Sequence, residues 1–368
     1  MRFTVGALRR IALIALLLSS SATLSALGAG MALAQPQAVP RDAGAAIAKG
    51  IAYLIARQQA DGSWEDHVGF TAVAILALVP ASSGAEPRAG DAVARGLAYL
   101  ERWVHPDGGI HQEEHPHYST AVALLAFAAS GEAKYHGRIA AARDFLVGLQ
   151  AREETGFTEA QPLFGGTLIG GGKSNLDSTY WAMRALGEAR LPREHPYWTR
   201  ALRFVSRCQN LRPSNDQPWA GTDGGFVFAP GFSFAGGTKS YGTMTYAGLS
   251  AYRDAGLRAG DPRVEAALRW LRANFTAQEN PGLAKQTLYH SFVYMAATLG
   301  VWGVDTFVDD AGQTRSWRRE LVDSLLSRQQ PDGSWANVED ARWYEDKPVL
   351  ATSFAVRALR EATAAIRR

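Results

Sequence analysis

The feature of this sequence that most restricts its fold is a unit that recurs six times along the chain. Its complete form, Gln-x-x-x-Gly-x-Trp, occurs at 58–64 and again at 329–335, each time after an apolar segment of helical character. Weaker copies of that segment contain Leu100, Leu146, Val205 and Leu271. Such a period indicates stacked helical hairpins, because one hairpin cannot bury its apolar face alone.

A second helix is predicted in each unit from a hydroxyl residue that is followed six positions later by alanine. The six pairs are Thr71 with Ala77, Thr120 with Ala126, Thr179 with Ala185, Thr245 with Ala251, Ser291 with Ala297, and Thr352 with Ala358. A hydroxyl in the first turn can cap free backbone N–H groups. Since no alternating strand pattern recurs, the sequence predicts an all-α fold, a single (α/α)6 toroid of six hairpins over residues 41–366.

The motif at 58–64 resembles the repeat of squalene-hopene cyclases, oxidosqualene cyclases and the β subunits of protein prenyltransferases. The resemblance extends over essentially all of 41–366. It implies that the motif-bearing helices form an outer ring and that the second helices line a central cavity. The chain has room for one toroid, similar to the C-terminal domain of squalene-hopene cyclase.

The first 34 residues have the pattern of a secretory signal peptide. Arg2, Arg9 and Arg10 precede a short apolar run, and Ala32 and Ala34 form an A-x-A cleavage pattern. The sequence therefore predicts a signal peptide at 1–34, a short linker at 35–40, and export to the periplasm or the extracellular space. It predicts no integral membrane segment in the mature chain.

Charge and cysteine content limit the partners of the mature chain. The sequence has 38 basic and 35 acidic side chains, and 38 minus the three arginines of 1–34 leaves 35 of each. A balanced charge argues against a nucleic-acid partner. The single cysteine, Cys208, can form neither an intramolecular disulfide nor a thiolate metal cluster, and we expect no cofactor.

The family resemblance directs attention to 175–179 for catalysis. Family cyclases protonate an alkene or epoxide with the middle carboxyl of an Asp-x-Asp-Asp-Thr motif, and here that stretch reads Asn-Leu-Asp-Ser-Thr. The resemblance implies Asp177 as general acid, supported by Asn175 and Ser178. Asp177 is also the only acid found two positions before any of the six hydroxyl residues. A helix-capping role for Asp177 is the structural alternative.

Further candidates for ligand binding are aromatic or basic residues near the starts of the second helices. They are Tyr118, Lys173, Tyr180, Trp181, Lys239, Tyr241, Tyr289 and His290. Aromatic ring faces suit a polyene or a carbocation. Lys173 and Lys239 belong to two glycine-rich loops, which can contact an anionic or polar ligand or serve only as flexible entrance loops.

The loop of the second hairpin is rich in residues that can bind metal ions. It carries His111, Glu113, Glu114, His115 and His117. These residue types suit zinc or another divalent cation, but in a loop that contains a proline they can equally be solvated side chains. We therefore predict no metal site.

Three functions are compatible with these patterns. Because the flanking carboxyls of the family motif are replaced, the sequence favours an exported protein that binds a small-molecule ligand, a lipid such as an isoprenoid, a glycan or a peptide, without cyclase chemistry. The first alternative is a terpenoid cyclase-like isomerase that uses Asp177 on a polyprenyl substrate. The second is a polysaccharide lyase or hydrolase, which needs a carboxylate pair such as Asp177 with Asp223 or Glu113. The oligomeric state stays open.

Overall fold

The computed structural model describes residues 42–82 and 86–364, which belong to one unit. The signal peptide expected at 1–34 and the linker expected at 35–40 lie outside the described residues. No described helix combines the length and the apolar character that a membrane crossing requires.

The described residues form twelve α-helices and one short two-stranded sheet. The helices are α1 (Ala43–Arg57), α2 (Val68–Ser82), α3 (Pro87–Glu101), α4 (Pro116–Ser130), α5 (His136–Gly148), α6 (Leu176–Glu188), α7 (Pro196–Arg207), α8 (Gly242–Asp254), α9 (Pro262–Asn274), α10 (Leu288–Val301), α11 (Trp317–Leu326) and α12 (Pro348–Thr363). Strands β1 (Thr306–Val308) and β2 (Thr314–Ser316) pair antiparallel between α10 and α11.

The even-numbered helices form a closed cycle of contacts. Each packs against the next even-numbered helix in chain order, from α2 through α4, α6, α8 and α10 to α12, and α12 packs against α2. The odd-numbered helices pack against this set, for example α3 against α2 and α1 against α12. The expectation of a helical fold is therefore confirmed, and the second helix of each repeat unit belongs to the cycle.

The sequence explains why the even-numbered helices lie inside. A helix that is apolar on all faces is stable only when it is buried on all faces. In α2 every residue from Val68 to Ile75 is buried, and Thr71 is the one residue among them with a polar side chain. In α3, by contrast, the buried positions from Ala89 to Leu100 recur mainly at intervals of three and four, as expected of a helix with one solvated face.

In four of the six repeat units, a glutamine connects the hairpin to the next one. Its side-chain Nε2 donates both to its own turn and to the next odd-numbered helix, at 2.8–3.1 Å. The acceptors are the carbonyls of Gly62 and Ala92 for Gln58, Gly165 and Tyr197 for Gln150, Gly224 and Arg263 for Gln209, and Gly333 and Ala46 for Gln329. The bond from Gln329 to Ala46 joins the last unit to the first helix.

The repeated hydroxyl groups do not cap their own helices, so that expectation was wrong. Five of them accept a hydrogen bond from a backbone N–H in the segment before the helix, at 2.9–3.1 Å. The pairs are Thr71 with Trp64, Thr120 with Ile110, Thr179 with Thr167, Thr245 with Phe226, and Thr352 with Trp335. The sixth hydroxyl, on Ser291, is buried without a partner. These hydroxyls therefore hold the preceding turn against the helix.

This difference makes Thr352 and Ser291 a matched pair for mutation. Thr352→Val keeps the shape of the side chain but leaves the buried N–H of Trp335 unsatisfied, which should lower the free energy of unfolding by about 1–3 kcal/mol. Ser291→Ala removes a hydroxyl that has no partner and should change stability by less than about 0.5 kcal/mol. Urea unfolding of both variants measures the two free energies of unfolding. An equal decrease in both would contradict the role of the hydroxyl in holding the preceding turn against the helix.

Candidate functional site

A cavity of about 310 Å³ opens at the N-terminal ends of the even-numbered helices. All six of these helices line it with a residue of the first turn, namely Phe70, Tyr118, Asp177, Thr243, His290 and Leu350. Segments between helices complete the wall with Ile169, Phe228, Phe234, Leu283, Gln286, Arg342, Trp343 and Tyr344. Its size and its largely apolar, aromatic lining are typical of small-molecule sites.

The structure separates Asp177 from the capping role. The residue that caps α6 is Asn175, whose Oδ1 accepts a hydrogen bond of 2.8 Å from the backbone N–H of Ser178. Asp177 instead lines the cavity, and its Oδ1 accepts a hydrogen bond of 2.5 Å from the phenol of Tyr294 in α10. The carboxyl group of Asp177 is therefore available to a ligand.

Burial favours the protonated form of this carboxyl group. Desolvation raises the pKa of Asp177 above that of an exposed aspartate, while the hydrogen bond from Tyr294 and the nearby His290 lower it to a smaller extent. A carboxyl group with a raised pKa next to an apolar cavity can act as a general acid. Asp177 is also the one carboxylate among the cavity-lining residues in the described ranges, so the glycosidase-type pair with Asp223 or Glu113 is not assembled here.

An aromatic layer lies behind Asp177. The rings of Tyr180 and Tyr294 are 4.7 Å apart, and Trp181 contacts both Tyr118 and Tyr294 edge to face at 5.7 and 5.8 Å. Burial raises the pKa of Tyr294 well above that of a free phenol, and the carboxylate of Asp177 raises it further. Tyr294 therefore acts as a neutral hydrogen-bond donor to Asp177.

A second buried carboxylate fixes the orientation of His290. Glu345 is fully buried and accepts hydrogen bonds from the backbone N–H of His290 at 2.7 Å and from the side chain of Asn337 at 2.9 Å. Its Oε1 also lies 2.8 Å from Nδ1 of His290. A hydrogen on Nδ1 can donate to this oxygen, which fixes the orientation of the ring.

The predicted site residues are distributed between the cavity and its surroundings. Those that line the cavity are Tyr118, Asn175, Asp177, Ser178, Tyr241 and His290. Tyr180 and Trp181 pack behind it, and Tyr289 is buried with its hydroxyl 3.4 Å from the carbonyl of Ala336. Lys173 and Lys239 are exposed and do not line the cavity.

The histidine-rich loop is divided in the same way. His115 and His117 line the cavity, whereas His111 stacks on His105 at 4.2 Å, and Glu113 and Glu114 are exposed. Within 42–82 and 86–364, no group of three or more histidine, cysteine, aspartate or glutamate side chains is arranged to hold a metal ion. The loop therefore contributes imidazoles to the cavity.

Solved structures share the fold of this chain at low sequence identity. No protein-family model and no curated protein sequence matches it. A variant of the type II terpene cyclase MstE from Scytonema, without ligand, superposes with a TM-score of 0.57 at 15% identity over 87% of this chain and 97% of the other. The chain has a terpene cyclase-like fold.

Two further structures share this fold. Another MstE variant, in complex with its substrate geranylgeranyl dihydroxybenzoate, superposes with a TM-score of 0.54 at 16% identity over 87% of this chain and 97% of the other. A protein from Actinoplanes superposes with a TM-score of 0.52 at 17% identity over 88% of this chain and all of the other. At these identities the likeness concerns the terpene cyclase-like fold alone.

Proposed function

We propose that this protein binds a linear polyprenyl compound in its cavity and that Asp177 protonates the compound to start cyclisation. The observation that carries the proposal is the placement of Asp177, a half-buried acid with a raised pKa that does not cap its helix and borders an aromatic, apolar cavity. The polyprenyl class is supported by the terpene cyclase of like fold whose substrate complex contains a geranylgeranyl chain.

The proposed architecture is a single (α/α)6 toroid over residues 41–366. The closed cycle of contacts among the even-numbered helices supports it, as does the hydrogen bond from Gln329 to the carbonyl of Ala46. In a toroid of this kind, the first turns of six helices surround one opening, and the cavity lies at that opening. Export by a signal peptide at 1–34 remains part of the proposal.

The proposed reaction is an isomerisation. The carboxyl O–H of Asp177 gives its proton to one carbon of an alkene, the other carbon becomes cationic, and the next double bond of the chain attacks it to close a ring. The final cation loses a proton to water and Asp177 takes up a proton from solvent, so the formula of the compound does not change and the acid is restored. Aromatic faces such as those of Phe70, Phe228 and Tyr241 can stabilise the cations at close range.

Asn175 and Ser178 position the acid in this proposal. Asn175 caps α6 and thereby fixes the turn from which Asp177 projects, and both neighbours lie in the cavity wall. Where family cyclases place carboxyls beside the acid, this chain has neutral side chains, and Tyr294 supplies the hydrogen bond to the carboxylate. The proton affinity of Asp177 is therefore set by burial, Tyr294 and His290.

To test this, the protein that lacks residues 1–34 is incubated separately with geranylgeraniol, squalene and geranylgeranyl hydroquinone. The products are then analysed by mass spectrometry. We expect a product of unchanged mass with fewer double bonds from at least one compound. The proposal also predicts incorporation of one non-exchangeable deuterium when the reaction runs in D₂O. Saturable binding of these compounds without any isomer would support a binding protein instead and overturn the catalytic part.

A further inference from the structure

Three histidines that the proposed protonation does not use lie together on one wall of the cavity. His67, His115 and His117 all line it, at the starts of α2 and α4. The rings of His115 and His117 meet edge to face at 6.0 Å. An added Cβ on Gly69 would lie 3.1 Å from Cε1 of His67 and 3.2 Å from Cε1 of Tyr118, so His67 packs beside the first turn of α4.

The tautomer of His67 is fixed by the start of α2. Its Nδ1 accepts hydrogen bonds from the backbone N–H groups of Gly69 and Phe70 at 3.0 and 3.3 Å. Burial lowers the pKa of His67, and the nearby His115 lowers it further, so the neutral ring is favoured. Its single hydrogen must then be on Nε2, where it has no acceptor within the described part of the chain. His67 therefore presents a fixed N–H donor.

His117 is the second unsatisfied group on this wall. Its side chain is only 8% exposed, its Nδ1 is buried without a partner, and neither ring nitrogen has a hydrogen bond to any residue in 42–82 or 86–364. Burial lowers the pKa of His117 to about 4, so the ring is neutral at pH 7. A neutral imidazole offers one donor and one acceptor, and leaving them unpaired in an apolar site is unfavourable.

We infer that the wall formed by His67 and His117 binds a hydroxyl group, and that the ligand is a neutral polyprenyl alcohol. A hydroxyl oxygen can accept the hydrogen bond from Nε2 of His67, and its hydrogen can be donated to Nε2 of His117, since Nδ1 of that ring is closed off from solvent. Two neutral imidazoles satisfy a hydroxyl. They add no positive charge to Arg342, the one guanidinium among the described lining residues, and a diphosphate needs more charge compensation than this single side chain supplies. The inference uses the polyprenyl class of the proposed function and is independent of proton transfer by Asp177.

Equilibrium binding tests this inference without turnover. The protein without residues 1–34 is titrated separately with geranylgeraniol, with the corresponding hydrocarbon that lacks the hydroxyl group, and with geranylgeranyl diphosphate. Binding is monitored by tryptophan fluorescence, since Trp343 lines the cavity. We expect the alcohol to bind at least about tenfold more tightly than either of the others. His117→Phe should reduce the ratio of the affinity for the alcohol to the affinity for the hydrocarbon to roughly one, while the hydrocarbon still binds.

Two further variants keep the test decisive. His67→Asn retains a side chain that can cap α2 but does not extend the Nε2–H donor into the cavity, so the preference for the alcohol should fall without loss of folding. His105→Phe, at a histidine that does not line the cavity, should leave the ratio unchanged. Equal affinity of the wild type for alcohol and hydrocarbon overturns the inference alone, whereas no binding of any of these compounds overturns the proposed function with it.

Discussion

Asp177→Asn is expected to lower the rate of product formation by about 10³-fold or more. An amide has almost the same size and shape as the carboxyl group and can still accept the hydrogen bond from Tyr294, but it is far too weak an acid to protonate an alkene. The dissociation constant of the polyprenyl ligand should therefore change little. Single-turnover rates and equilibrium binding, measured on the same preparation, separate the two effects.

The same substitution has an expected effect on stability whose sign follows from the raised pKa of Asp177. Because the folded-state pKa lies above the unfolded one, this group contributes stability that is fully present below the unfolded pKa and lost as pH rises through the folded pKa. Asp177→Asn removes this loss, so at pH 8 the variant should be at least as stable as the wild type. The rate of product formation in the wild type should also fall as pH rises, since the protonated form is depleted.

Two control variants sharpen the result. Tyr294→Phe removes a donor that stabilises the carboxylate, so the alkaline limb of the pH–rate profile should move to higher pH. Glu113→Gln changes an exposed acid outside the cavity wall and should leave the rate unchanged. More than a tenth of the wild-type rate in Asp177→Asn would contradict its role as general acid.

The helical fold could be predicted because its determinants are local in the sequence. The glutamine and glycine of the repeat lie four residues apart, and the structure uses both in the same turn, as at Gln58 and Gly62. The role of the repeated hydroxyl was predicted wrongly because its partner is not in its own helix. Thr352 accepts from Trp335, which is 17 residues earlier in the chain. The spacing of Thr352 alone is equally typical of a capping residue.

The environment of the candidate acid could be predicted only in part. Asp177 stood out because no other repeat has an acid at the equivalent position, but its hydrogen-bond donor Tyr294 is 117 residues away. Such a contact depends on which helices face each other across the cavity. Trp343 and Tyr344, at the mouth, have φ values of 60° and 63°, a backbone conformation that bulky residues rarely adopt. No local pattern indicates that these two side chains reach the cavity.

The turn glycines are expected to be as critical to the fold as Asp177 is to the chemistry, and Gly165 gives the clearest test. Gly165 has φ +92°, and an added Cβ would lie 1.9 Å from the carbonyl oxygen of Arg200 in α7. Gly170, in the same loop, has φ +97° and no atom within 4 Å of an added Cβ. Both substitutions by alanine impose an unfavourable backbone conformation, but only Gly165→Ala forces the turn away from the neighbouring helix.

Gly170→Ala should therefore lower the free energy of unfolding by about 1–2 kcal/mol, the cost of a left-handed backbone alone. Gly165→Ala should lower it by more than about 4 kcal/mol, since two backbone segments cannot both remain in place. Urea unfolding with unchanged m values measures both. The same close approach occurs at Gly333, where an added Cβ would lie 2.7 Å from the carbonyl of Lys49 in α1. If Gly165→Ala and Gly170→Ala lower the free energy of unfolding equally, the turns do not pack tightly against the next hairpin. The contact of Gly333 with α1, which joins the last unit to the first, would then lose its steric explanation.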